Sequence, residues 1–125
     1  MKNYSVLILM LSFVIIGFGS CEKDIEITCN LDAPGQVTED MTITFSASKT
    51  GDGVINTLTY KTSQGEVTLT NPTLPWTINV DTEEGSSISI SAQGTVKDGS
   101  LTVAFHGETQ SSTVEGNDFC SHSND

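Results

Sequence analysis

The sequence predicts an all-β fold, an antiparallel two-sheet β-sandwich of about seven strands preceded by a signal-peptide helix. Three observations predict it. Apolar residues recur with period two in run after run. Gly, Pro, Asn and Asp punctuate those runs at short spacing. Past residue 20, no stretch keeps a helical period. Several short strands around one core, without helices, pack most simply as two facing sheets.

The first element is apolar. Lys2 precedes residues 6–18, whose apolar character is broken only by Ser12 and Gly17. A membrane-spanning helix needs roughly 20 apolar residues. This run is shorter and ends on the small residues Gly19 and Ser20, which is the layout of a secretory signal peptide. Phe18-Gly19-Ser20-Cys21 resembles a bacterial lipobox. The resemblance implies cleavage between Ser20 and Cys21 and a diacylglycerol on the Cys21 thiol. Cys21-Glu22-Lys23-Asp24 is similar to the mature start of Bacteroidetes-type lipoproteins, where acids after the cysteine accompany surface display. The competing readings are simple secretion with a chance cysteine, and an uncleaved anchor helix.

The strands follow. Ile25, Ile27, Cys29 and Leu31 alternate with polar residues, as do Met41, Ile43, Phe45 and Ala47. The same period marks Trp76, Ile78 and Val80, then Ile88, Ile90 and Ala92, then Leu101, Val103 and Phe105. Residues 54–62 and 66–70 are weaker candidates, rich in Thr and other β-branched residues. Turn chemistry separates the runs at Ala33-Pro34-Gly35, Thr50-Gly51-Asp52-Gly53, Gln64-Gly65, Asn71-Pro72, Glu84-Gly85 and Asp98-Gly99. His106-Gly107 is expected to turn a tight hairpin between residues 101–105 and 109–114. The organisation expected is a signal peptide over 1–20, a lipidated tether over 21–24, the sandwich over 25–120 and a disordered tail over 121–125. The expected location is the cell envelope, lipid-anchored at the outer membrane, on its periplasmic face or at the cell surface.

Composition bounds the function. Removing the leader leaves 105 of 125 residues, enough for one core, and takes the formal charge from −11 to −12 with the loss of Lys2. There is no arginine. A chain this acidic is repelled by phosphate backbones and anionic lipid, so nucleic acid is excluded as a partner. With Cys21 lipidated, Cys29 and Cys120 remain, in a compartment where disulfides persist. Spacing leaves two readings open for them, a bridge and a pair of buried free thiols.

Candidate chemistry is thin. Trp76, the only tryptophan, follows Pro75 and reads as a core aromatic; the functional alternative is a sugar-stacking platform. Asp81, Glu83 and Glu84 crowd one loop, but at no calcium-loop spacing. His106 and His122 lack metal-ligand spacing. No strand-to-helix nucleophile motif accompanies the abundant serines. The sequence therefore assigns no catalytic residue, no metal and no cofactor, and the chain is not expected to be an enzyme.

The middle of the chain carries a resemblance. Leu58-Thr59-Tyr60, Thr73-Leu74-Pro75-Trp76-Thr77, Ser91-Ala92-Gln93-Gly94, Leu101-Thr102-Val103-Ala104-Phe105-His106-Gly107, Gly116 and Cys120 fall in the order seen in one family. They resemble the extracytoplasmic domain of the mycobacterial membrane protein small (MmpS) family, over roughly residues 54 to 120. The resemblance implies an immunoglobulin-like sandwich outside the cytoplasmic membrane that accompanies lipid-exporting transporters of the resistance-nodulation-division type. The chain departs from the family at Leu101, where the family has a cysteine, and at His106, where it has Asn. Cys120 matches, and Cys29 is the replacement partner available to it. The function expected is that of a non-enzymatic envelope lipoprotein, held to the membrane by its lipid and acting with another envelope protein. The alternative is a surface module for glycan or another small ligand.

Overall fold

The computed structural model describes residues 25–124. The signal peptide, its Ser20–Cys21 cleavage point and the lipidated Cys21 lie outside the described residues.

Eight strands form in order: β1 (Ile27–Gln36), β2 (Met41–Gly51), β3 (Val54–Thr62), β4 (Gly65–Thr70), β5 (Trp76–Thr82), β6 (Ser87–Val96), β7 (Gly99–Glu108) and β8 (Thr113–His122). They build two four-stranded antiparallel sheets, β1-β6-β3-β4 and β5-β2-β7-β8. The sheets pack as the expected sandwich, and no helix occurs among the described residues. Both weak candidates are strands, and with β8 the number is eight.

Alternation decides which residues face inward. Ile43, Phe45, Leu58, Ile90, Leu101 and Phe105 are almost wholly buried between the sheets. Their polar neighbours face water and pair across strands, as in Thr44 to Asn79 (2.8 Å) and Thr59 with Thr68 (3.1 Å). Only Thr62 and Thr82 are buried polar residues among those described, and each is satisfied. The Thr82 hydroxyl donates to the Met41 carbonyl at 2.9 Å, and the Thr62 hydroxyl accepts the Gln64 N–H at 3.1 Å.

Two turns carry the chain from one sheet to the other at the same end of the molecule, β2 to β3 and β6 to β7. They are stacked so tightly that Gly51, at φ 62°, has no room for a Cβ beside the Asp98 carbonyl. Between them, the Asp52 carboxylate accepts the N–H groups of Lys97 and Asp98, both at 3.0 Å. Those hydrogen bonds, first from Asp98 and then from Lys97, hold its pKa below the usual carboxylate value. β1 starts at this end, with Ile27 opposite Val96. The Asn124 amide closes it by donating to the carbonyls of Lys97 (3.0 Å) and Ile25 (3.2 Å).

Three local expectations are corrected. Ala33-Pro34-Gly35 is not a turn but the second half of β1. Pro34 is tolerated there because β1 is an edge strand, where a missing N–H breaks no ladder bond. His106-Gly107 does not turn either; both residues lie inside β7, opposite Thr44 and Ile43. Gly107 leaves room for the Ile43 side chain, whose tip a Cβ there would meet. The hairpin falls later, where the Thr109 hydroxyl accepts the N–H groups of Ser111 (3.2 Å) and Ser112 (3.1 Å). The third concerns the expected strand over 109–114. Its first residues form this turn, and the strand runs from Thr113 to His122. Ser121 and His122 thereby pair with Ser100 and Gly99, beyond the point at which the tail was expected to begin.

Candidate functional site

A two-sheet sandwich has two long sides, each bounded by one edge strand from either sheet. Here the sides differ. β1 and β8 bound one, β4 and β5 the other.

The β1/β8 side is shut. Cys29 of β1 and Cys120 of β8 meet across it and are joined as a disulfide, with their Cα atoms 6.1 Å apart. The Asp32 N–H donates to the Asp118 carboxylate at 3.0 Å, which ties the two edges again. The inward residues of β1 are sealed: Cys29, Leu31 and Ala33 are 3–4% exposed. Glycine lets the layers close this far. A Cβ on Gly35 of β1 or on Gly116 of β8 would run into the Phe105 ring, at 2.5 and 2.7 Å.

The β4/β5 side stays parted. Val67 of β4 faces Ile78 and Val80 of β5 across a mouth that is closed at one end by the 71–75 connection, whose Leu74 packs against the core with Leu69 and Trp76. Val67 is 40% exposed, and the other five are half-buried against the core. The mouth opens into a cleft of about 460 Å³ lined by Tyr60, Thr62, Glu66, Val67, Ile78 and Asp81. A second cleft of about 540 Å³, lined by Asp40, Thr42, Asp81 and Glu83, adjoins it. Gln64 spans the end of the mouth, its side-chain amide donating to the Asp81 carbonyl at 3.2 Å.

An aromatic series leads from the core to this opening. Phe105 and Phe45 lie 6.4 Å apart, Phe45 and Tyr60 5.4 Å, Tyr60 and Trp76 5.6 Å. Phe105 and Phe45 are buried, whereas Tyr60 and Trp76 are half-buried. Trp76 is therefore neither a central core residue nor a free platform; it is the outermost ring of a stack that starts in the core.

Charge is distributed unevenly. Asp40, Glu66, Asp81 and Glu83 line the two adjoining clefts. Lys49 and Lys97 lie at the opposite end, beside the crossover turns, whereas Lys61 stands opposite Glu66 in the β3/β4 pair. The expected acidic loop is thus part of this rim, and two carboxylates of the rim are engaged locally. Asp81 accepts the Thr42 hydroxyl at 2.8 Å, and Asp40 accepts the Glu84 N–H at 2.9 Å. Among the described residues no three of His, Cys, Asp and Glu converge as a metal set.

The two histidines are kept apart. His106 stands on the outer face of β7 with Glu115 and Glu108 at 3.3 and 3.5 Å. His122 sits at the crossover end, its Nδ1 2.9 Å from the Lys97 carbonyl oxygen. Sequence reasoning missed the mouth itself. Its one available signal was that β4 and β5 put their apolar residues on the weakest or shortest runs in the chain. No protein-family model, curated protein or solved structure matches the chain.

Proposed function

We propose that this chain is a non-enzymatic envelope lipoprotein whose MmpS-like sandwich is an accessory domain for another envelope protein, which it engages through the β4/β5 side. The observation that carries the reading is the asymmetry of the sandwich. One pair of strand edges is stapled shut, and the other is left open over half-buried apolar and aromatic side chains. An open strand edge beside an apolar mouth is a surface suited to contact, with no reacting group needed. Lipid on Cys21 would confine the domain to the membrane and raise its effective concentration, so that a weak interface is still occupied. The MmpS resemblance makes a transporter the first partner to seek.

The test uses full-length, lipidated protein cross-linked in native envelopes, with captured proteins identified by mass spectrometry. Recovery of one envelope protein, lost when Cys21→Ala removes the anchor, is the expected result. Fatty-acid label that persists in the Cys21→Ala variant would overturn the lipid assignment.

One observation favours a second reading, a surface module for glycan or another small ligand. Tyr60 lines a concave site and packs its ring at a tilt against that of Trp76, both being half-exposed. Tryptophan fluorescence against a glycan panel addresses it directly, because Trp76 is the only tryptophan.

A further inference from the structure

The chemistry of the mouth specifies what kind of segment fits it. This step rests on the proposed function and adds the form of the contact. β5 reads Trp-Thr-Ile-Asn-Val-Asp-Thr and contains no Pro, Gly or Lys. Edge strands are ordinarily protected from pairing by Pro, by Lys, by bulges or by an inward-pointing charge. β1 uses Pro34 and the contacts to β8 in this way. β5 uses none: its inward residues are Trp76, Ile78, Val80 and Thr82, and its ladder bonds run only to Met41–Ala47 of β2. Apart from the Asp81 carbonyl, which accepts the Gln64 amide, one edge of its backbone is therefore open to a strand along Trp76–Val80.

Two occupants can be separated by charge. A second lipidated copy would bring another formal −12, and its own acidic rim, against Asp81 and Glu83. Like charges at such close range oppose pairing. A cationic segment is attracted by the same carboxylates. The geometry points to strand addition on β5 by an extended, cationic segment of a partner protein. Alternate apolar side chains of that segment enter the mouth against Val67, Leu69 and Ile78, and its Lys or Arg residues meet Asp81 and Glu83. The period of two follows from the strand, the apolar preference from the half-buried lining, and the positive charge from the rim.

The probe is a synthetic peptide of about ten residues alternating valine and lysine, with a control of the same composition sorted into a valine block and a lysine block. Binding to the full-length lipidated protein in detergent is read by Trp76 fluorescence and by amide exchange. The expected result is binding of the alternating peptide with new amide protection in β5. Binding should weaken with added salt, and by roughly tenfold or more in Val67→Lys, which places a like charge in the mouth. Equal binding of the block peptide, protection confined to other strands, or β5 protection that grows with protein concentration alone would each overturn the proposal, the last in favour of a second copy. The exchange map needs no substitution, so the inference stands or falls even where Val67→Lys does not fold. A photo-cross-linker at Ile78, compared with one at Phe119 on the outer face of β8, separates this inference from the broader reading. A partner captured in native envelopes only from Phe119 would refute the mouth and spare the accessory role. No partner from either position would remove both.

Discussion

The two long sides of this sandwich are built from the same kinds of residue and end in opposite states. On the β1/β8 side, Cys29, Leu31 and Ala33 are sealed, the edges are joined through Cys29–Cys120, and glycines at 35 and 116 let the layers close on Phe105. On the β4/β5 side, Val67, Ile78 and Val80 alternate just as regularly, yet stay partly in water. Alternation makes a strand amphipathic, but it does not cover the strand's open edge. Covering requires a second edge close enough to touch, and here that closeness depends on small residues and a covalent staple on one side only.

The largest way to break the difference is to remove the staple. A bridge spanning 91 residues stabilises by about 4.6 kcal/mol on the chain-entropy model. Replacing Cys29 and Cys120 together by alanine should lower denaturant stability by about that amount, and added reductant should move the wild type but not the variant. Intact alkylation of both thiols without reductant would show the bridge absent.

Core truncation should then separate the sides. Leu31→Ala, on the shut side, should cost about 3 kcal/mol, within the range for buried leucine. Val67→Ala, on the open side, should cost under about 1 kcal/mol, because Val67 already contacts water. Equal losses in urea unfolding would mean that the mouth is closed in solution. Close packing on the shut side predicts a third effect. Gly116→Ala pushes a methyl into the Phe105 ring and should destabilise by about 1–3 kcal/mol, although it adds an apolar group.

The smallest effect concerns the end that both sides share. The Asp52 carboxyl is held below its usual value by the N–H groups of Asp98 and Lys97. A depressed carboxylate contributes stability that is present above its unfolded pKa and is lost as pH falls through the folded one. The Tm gap between wild type and Asp52→Asn should therefore narrow on acidification from neutral pH. A gap that is constant with pH would show that the carboxylate charge plays no part. Since this group is fully exposed, the shift should be slight.

Much of the architecture was legible in the residues, and the failures have physical causes. The runs at 41–47, 76–80 and 101–105 announce strands because each has one face for the core. Pro34-Gly35 and His106-Gly107 misled, since a turn signal and a close-approach signal use the same residues. Pro34 sits on an edge, and Gly107 makes room for Ile43; neither fact is local. The mouth was illegible for the same reason. Tyr60 and Val67 are neighbours across one hairpin, but Ile78 and Asp81 join them only when the second sheet is laid over the first.

By itself, then, the sequence determined the class of fold, the single core, the acidic surface and the positions of most strands. Those properties depend on period and composition within a few residues of one another. Tertiary structure alone decided the strand order, the partnership of Cys29 with Cys120, the placement of Trp76 at the end of an aromatic stack, and the side on which the sandwich is left open. Each of these depends on pairing between segments far apart in the chain, where register and layer closure, not local pattern, fix which side chains meet.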